Sequence, residues 1–216
     1  MKQLNITNKR LRKRYFPAKG DEKAELKAFY KVVLKHKIDK IISIDETSFY
    51  INMTRSYGWS KKGRRAYLKT NIYPFKRYNV LSAIKYGKVI AVRIYEEKGG
   101  LNVDKFNAFI NRYIKGKYKN HLIIMDNVVF HRSLKVRKNI MKTKNKYIYS
   151  VRYNPITNPI EGFFNQLKHY IKLKSPQSIE ELKKVTKHVI KNKIKRKHLE
   201  NYFKVLFLRG KLKLKN

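Results

Sequence analysis

The stretch that most constrains this chain is Ile41-Ile42-Ser43-Ile44-Asp45-Glu46-Thr47-Ser48-Phe49-Tyr50-Ile51, a β-branched, apolar run with two acids inside it. Apolar residues on both faces mark a central strand covered on both sides, so the chain needs helices above and below a sheet. An acid inside such a strand is costly unless it has a partner. Two more strands, Tyr78 to Tyr86 and Lys88 to Tyr95, meet at Gly87 as an antiparallel meander. A helix follows, with Phe106, Phe109, Ile110 and Tyr113 on its apolar face and Asp104 as its expected cap. Leu122-Ile123-Ile124-Met125 is a short apolar strand that stops at Asp126, and the strand, helix, strand order implies a parallel neighbour reached by a right-handed crossover. A helix from about Ser133, a strand near Tyr147 to Val151, and helices over 159–173, 178–195 and 197–208 complete the pattern. Ser178 and Glu181 are expected to open the second of these helices as a capping box. Asp21, Glu22 and Glu25 open an earlier helix, which carries Leu26, Phe29, Tyr30, Val33 and Leu34 to about Lys37. The expected fold is α/β: a mixed five-stranded sheet flanked by helices, with extra C-terminal helices.

Acids are informative because they are scarce. The chain has 54 Lys and Arg against 14 Asp and Glu, a formal net charge of +40, and a compact state so charged repels itself unless a polyanion neutralises it. Nucleic acid is the partner this charge fits; a Lys-rich proteome could also raise the charge. Ten acids have local reasons at helix starts, loops, strand ends or polar faces. Asp45, Glu46, Asp126 and Glu161 remain, in apolar surroundings. Glu46 points to the opposite face from Asp45 in a regular strand and reads as a supporting or structural acid.

Glu161 lies in Asn154-Pro155-Ile156-Thr157-Asn158-Pro159-Ile160-Glu161-Gly162-Phe163-Phe164-Asn165-Gln166-Leu167-Lys168. Asn158 is expected to cap this helix, with Pro159 at its first position and Glu161 at its third. Glu161 could then do no more than reach back to the Asn158 N–H. Likewise Asp45 could pair with a buried cation, and Asp126 could cap its loop. Asp45 inside one strand, Asp126 at the end of another and Glu161 at a helix start favour a joint role if the two strands are neighbours, since strand ends and adjacent helix starts are where an α/β sheet builds its site. Three converging carboxylates repel unless divalent cations neutralise them. Mg²⁺ or Mn²⁺ is therefore expected on Asp45, Asp126 and Glu161, and two such ions ~4 Å apart suit phosphodiester chemistry. The chain has no cysteine, which excludes disulfides and Cys-based zinc sites. It has no apolar run of the ~20 residues a membrane span needs, and no apolar segment follows its basic N-terminus, so an intracellular, DNA-associated protein is expected.

Asp45-Glu46-Thr47-Ser48-Phe49, Tyr57-Gly58-Trp59-Ser60-Lys61-Lys62-Gly63, Asp126-Asn127 with His131, Tyr153-Asn154-Pro155 and Asn158-Pro159-Ile160-Glu161 together resemble the catalytic domain of insertion-sequence transposases related to mariner, the DDE superfamily endonucleases. Thirty-four residues separate Asp126 from Glu161, the spacing of that family. The resemblance spans about residues 21–175. It implies a ribonuclease H-like fold, an Asp, Asp, Glu triad, and metal-dependent DNA cleavage with strand transfer, usually at a TA dinucleotide, by a homodimer or other homo-oligomer. By the same resemblance 53–76 is a basic hairpin or clamp loop inserted in the domain, with Trp59, Lys61, Lys62, Arg64 and Arg65 as contacts to DNA or a partner subunit. His131 is a candidate contact to the metal site or DNA, and otherwise a polar loop residue. Helical geometry sets Asn165 and Lys168 on the polar face with Glu161, as DNA contacts.

The sequence departs from the family at Val151-Arg152-Tyr153-Asn154-Pro155-Ile156, where the family has Pro-Pro-Tyr-Ser-Pro-Asp, so the loop presenting Glu161 is altered. Residues 1–38 read as a basic lead-in and helix, a remnant of a DNA-binding region. Residues 39–175 read as the catalytic domain, and 176–216 as a helical extension. With 44 residues before Asp45, recognition of transposon ends is expected to need a separate or frameshift-fused helix-turn-helix polypeptide. The alternatives are a catalytically silent nucleic-acid-binding relative and a stand-alone nuclease of the same fold.

Overall fold

Strand β1 (Ile41–Tyr50) lies in the middle of a five-stranded sheet of order β3-β2-β1-β4-β5, formed with β2 (Arg77–Lys85), β3 (Lys88–Tyr95), β4 (Leu122–Met125) and β5 (Lys146–Tyr149). This computed structural model describes residues 21–51, 53, 57–67, 76–96 and 99–215. The basic lead-in over 1–20 and parts of 53–76 lie outside those residues. β1, β2 and β3 form the antiparallel meander, and β4 and β5 pair in parallel. β1 and β4 run parallel from Ile41 opposite Leu122 to Ser43 opposite Ile124. Continued two residues further, that register sets Asp45 level with Asp126.

Both faces of the sheet are covered, as the apolar residues on the two faces of β1 require. Ile42 and Ile44 join Phe106, Phe109 and Ile110 of α2 (Val103–Tyr113) and Val136 and Ile140 of α3 (Leu134–Lys142). On the other face Ile41 and Phe49 join a larger cluster drawn from α1 (Glu22–Val33), α4 (Ile160–Lys174), α5 (Ile179–Asn192) and α6 (Arg196–Lys215). The first helix and the C-terminal helices thus share a core with the sheet. Ile160, Phe163, Phe164, Leu167 and Ile171 of α4 are all buried, as their helical spacing predicts.

Several helix ends differ from expectation. Asn102, not Asp104, caps α2 by accepting from the Lys105 N–H, while Asp104 pairs with Lys135 at 2.8 Å. The Ser178 hydroxyl caps α5 through the Glu181 N–H, but the Glu181 carboxylate takes the N–H of Gln177 rather than that of Ser178. α6 runs through Gly210, because the Tyr30 ring packs where a side chain would stand: a Cβ at 210 would come 2.7 Å from it. Close packing against α1 is thus worth more than the modest helix penalty of one glycine.

Candidate active site

Asp45 is 4% exposed, on the α4 face of β1. Its Oδ1 accepts from the Glu46 N–H at 2.7 Å and its Oδ2 from the Asn158 side-chain amide at 2.7 Å. The Asn158 amide oxygen in turn accepts from the Ser43 hydroxyl at 2.5 Å, and the Ser43 oxygen accepts from the Ile160 N–H at 3.3 Å. This corrects the expected cap. The side chain of Asn158 does not cap α4; a hydroxyl from the central strand receives one of the helix's first N–H groups, and Asn158 is spent on Asp45. The Asn158 N–H donates to the Pro155 carbonyl, so it is not available for a capping box with Glu161. Glu161 is delivered to the site because the start of its helix is tied to β1 by two side chains.

The altered loop before α4 closes on itself. Thr157 is wholly buried; its hydroxyl donates to the Asn154 carbonyl at 2.7 Å and accepts from the Val151 N–H at 3.0 Å. Residues 155–157 form a single 3₁₀ turn. These bonds satisfy buried backbone groups that a chain reversal would otherwise orphan.

Glu46 points away from Asp45, as strand alternation predicts, yet still reaches the site. Its Oε2 lies 3.4 Å from Nε2 of His131, whose Nδ1 lies 2.5 Å from Asp126 Oδ1. Asp126 follows the last residue of β4 and so sits at the sheet's end, where groups from both faces can meet. Ligand atoms of Glu46, Asp126 and His131 all fall within 4.8 Å of one another.

Repulsion and burial act together on these acids. Burial pushes the Asp45 carboxyl well above its usual range, and the charges of Asp126, Glu46 and Glu161 push it further. Glu46 is raised to about 7 by burial, which outweighs the attraction of His131, with Asp126 adding to the rise. Burial also raises Glu161, against the pull of Lys168, and Asp126 raises it again. The Lys168 ammonium is lowered by burial, although Glu161 favours its charge. The structure therefore brings Asp45, Asp126, Glu161 and Lys168 into one electrostatic unit and adds Glu46. Two buried carboxylate oxygens, Glu46 Oε2 and Asp126 Oδ1, lack a hydrogen-bond donor in good geometry. Each of these two oxygens has a His131 ring nitrogen beside it, and the repulsion among the buried acids is a cost that a divalent cation would remove.

The remaining expected residues lie elsewhere. Trp59, Lys61, Lys62, Arg64 and Arg65 are exposed, Trp59 fully so. Residues 57–67 form a loop closed by the Arg64 N–H to the Lys61 carbonyl and the Ser60 hydroxyl to the Arg65 carbonyl, without strand pairing among the described residues. Asn165 is exposed on α4. His131 is 0% exposed, so it faces carboxylates rather than a surface that DNA could touch, which corrects its reading as a DNA contact. Sequence reasoning missed Ser43 and Asn158 as the support of Asp45 and undervalued Glu46. The signal for Asn158 was a second polar role at a helix start, which spacing cannot distinguish from a cap.

The family profile of the DDE superfamily endonucleases matches residues 40–183, more than half of the chain. No curated protein matches it. Among solved structures, the mariner Mos1 paired-end complex with Mg is similar with a TM-score of 0.80 at 16% identity, covering 99% of this chain and 67% of that one. The Mos1 paired-end complex with the left transposon end gives 0.78 at 16% identity, over 99% and 67%. The Mos1 catalytic domain gives 0.70 at 14% identity, over 93% and 97%. These likenesses show the ribonuclease H-like fold: a mixed five-stranded sheet between helices. With a fold of that kind and a family match across the sheet and the start of α5, the chain belongs to the DDE superfamily endonucleases.

Proposed function

We propose that this chain is a transposase catalytic domain in which Asp45, Asp126 and Glu161 hold Mg²⁺ or Mn²⁺, two ions, for cutting and joining DNA strands by in-line attack on phosphodiesters. The observation that carries this reading is that three carboxylates from separate parts of the chain converge closely enough for the charges of Asp126 and Glu161 to raise the proton affinity of Asp45, and that of Asp126 to raise the proton affinity of Glu161. When bound, such ions activate the attacking oxygen and stabilise the leaving oxygen. The protein's own groups prepare the site. Asn158 fixes the Asp45 carboxylate, Ser43 fixes the start of α4 and so the direction of Glu161, and Lys168 offers a cation beside the carboxylates to a phosphate oxygen.

The net charge of +40 supports double-stranded DNA as the substrate, both transposon ends and target. The exposed aromatic and basic side chains of 57–67 fit a clamp on DNA or on a second subunit of a homo-oligomer. On this reading 39–175 is the catalytic unit, the helices over 176–216 brace it, and end recognition falls to the lead-in or to a separate helix-turn-helix polypeptide. Among the described residues no helix is long and apolar enough to cross a membrane, and the protein acts on DNA inside the cell. Nicking of supercoiled DNA that needs Mg²⁺ or Mn²⁺ and is abolished in Asp126→Asn is the expected result. Undiminished nicking by the folded variant would overturn the assignment. Joining of a 3′-hydroxyl end to target DNA separates a transposase from a stand-alone nuclease.

A further inference from the structure

We infer that His131 is a positioning residue: its ring, with Glu46 behind it, fixes the rotamer of Asp126 and leaves the second carboxylate oxygen of Asp126 for metal. The inference rests on the proposed role of Asp126. His131 has no exposed surface and is held between Phe130 and Phe106, whose ring centroids lie 4.2 Å and 4.5 Å from its own. Its main-chain carbonyl accepts from the Tyr149 hydroxyl at 3.2 Å, which ties the loop after β4 to β5.

A ring locked in this way presents its two nitrogens in fixed directions. Nδ1 faces two acceptors of one residue, the Asp126 carbonyl at 3.2 Å and the Asp126 Oδ1 at 2.5 Å. Two acceptors leave Nδ1 only the role of donor, so it carries the hydrogen and has no lone pair for a cation. The N–H donates to the Asp126 carbonyl, and the close contact of Nδ1 with Oδ1 of the same residue restricts the side-chain torsions of Asp126. Nε2 faces Glu46 Oε2 at 3.4 Å, so the acid of the opposite sheet face closes the far side of the ring. The arrangement resembles the outer groups that aim ligands in metal sites.

The ring can be tested first without metal. In ¹⁵N long-range correlation spectra of the metal-free full chain, His131 should carry a slowly exchanging proton on Nδ1, and Asp126→Asn should change that signal. An unprotonated Nδ1 would overturn the inference. Mn²⁺ titration of variants reads the consequence. His131→Ala should weaken binding roughly 10- to 100-fold, the range for lost outer groups of metal sites. His131→Asn, whose amide nitrogen can stand where Nδ1 stood, should recover most of that loss. His131→Phe, which fills the space without donating, should not. Equal recovery by Phe and Asn would reduce His131 to packing. A directly coordinated ¹⁴N in the electron spin echo of bound Mn²⁺ would make it a ligand and overturn the positioning role. Failure of the unsubstituted chain to bind Mn²⁺ would defeat the metal-dependent reading instead, while the Nδ1 proton would still decide how the ring is held.

Discussion

Asp45 and Trp59 are fourteen residues apart in the chain, but one is 4% exposed and the other fully exposed. The groups around them are held in opposite ways. Asp45 is gripped by Asn158, 113 residues away, and Asn158 by Ser43 across the same distance scale. The loop at 57–67 is closed by contacts three and five residues apart. Long-range bonds set the acidic site before any ligand arrives, whereas the two bonds that close the loop join near neighbours. Preorganisation of that kind suits chemistry.

The strongest way to break this contrast is to remove charge at the centre. Asp126→Asn or Glu161→Gln should lower metal-dependent nicking at least ~100-fold, the scale of losing one preorganised electrostatic contact. Near-normal turnover in either folded variant would mean the centre is not where chemistry occurs. A second test removes the long-range grip. Asn158→Ala leaves the Asp45 Oδ2 without its donor and should cost about 2–3 kcal/mol in denaturant unfolding of the metal-free chain. A cost below that of a typical surface change would show that Asp45 does not depend on Asn158.

The centre should also announce itself in the pH dependence of stability. Asp45, Glu46 and Glu161 all bind protons more tightly folded than unfolded, Glu46 with its carboxyl raised from 4.5 to about 7. The folded state therefore holds more protons across that interval, and stability falls as pH rises from about 4.5 through about 7. For Glu46 alone the loss is at most ~3 kcal/mol. Glu46→Gln should flatten the slope, and so should a saturating divalent cation, because it binds the deprotonated acids. Stability that rises over this range in metal-free protein would contradict the burial of these groups.

The smallest effect on folding is expected in the loop. Changing Lys61, Lys62, Arg64 and Arg65 together to alanine should move stability by less than ~0.5 kcal/mol, as for exposed residues generally. The salt dependence of DNA binding should still shrink by up to about 3.6 in slope if all four meet phosphates. An unchanged slope would assign the loop to a protein partner.

Much of this architecture could be read in advance. The β-branched run at 41–51, the meander at Gly87 and the buried stripe of α4 follow from periodicities that local sterics and burial enforce. The helix ends were less legible. Asn102 and Asp104 both suit a cap by composition, and the folded chain separates them: Asn102 accepts from the Lys105 N–H, and Asp104 pairs with Lys135 from α3. Asn158 was the instructive case, since capping and binding a buried carboxylate call for the same amide at the same place.

The sequence alone determined that four acids stood in apolar surroundings in a chain of charge +40, only Glu161 among them at a helix start, and that one strand had to be covered on both faces. Composition and period suffice for that because they depend on neighbours within a few residues. Which acids meet was decided by tertiary structure. The parallel register of β1 and β4 levels Asp45 with Asp126, the Ser43 and Asn158 bonds aim Glu161, and Glu46 enters from the opposite face through His131. Those contacts join residues more than eighty positions apart, and their energy exists only once the sheet and its covering helices have brought them together.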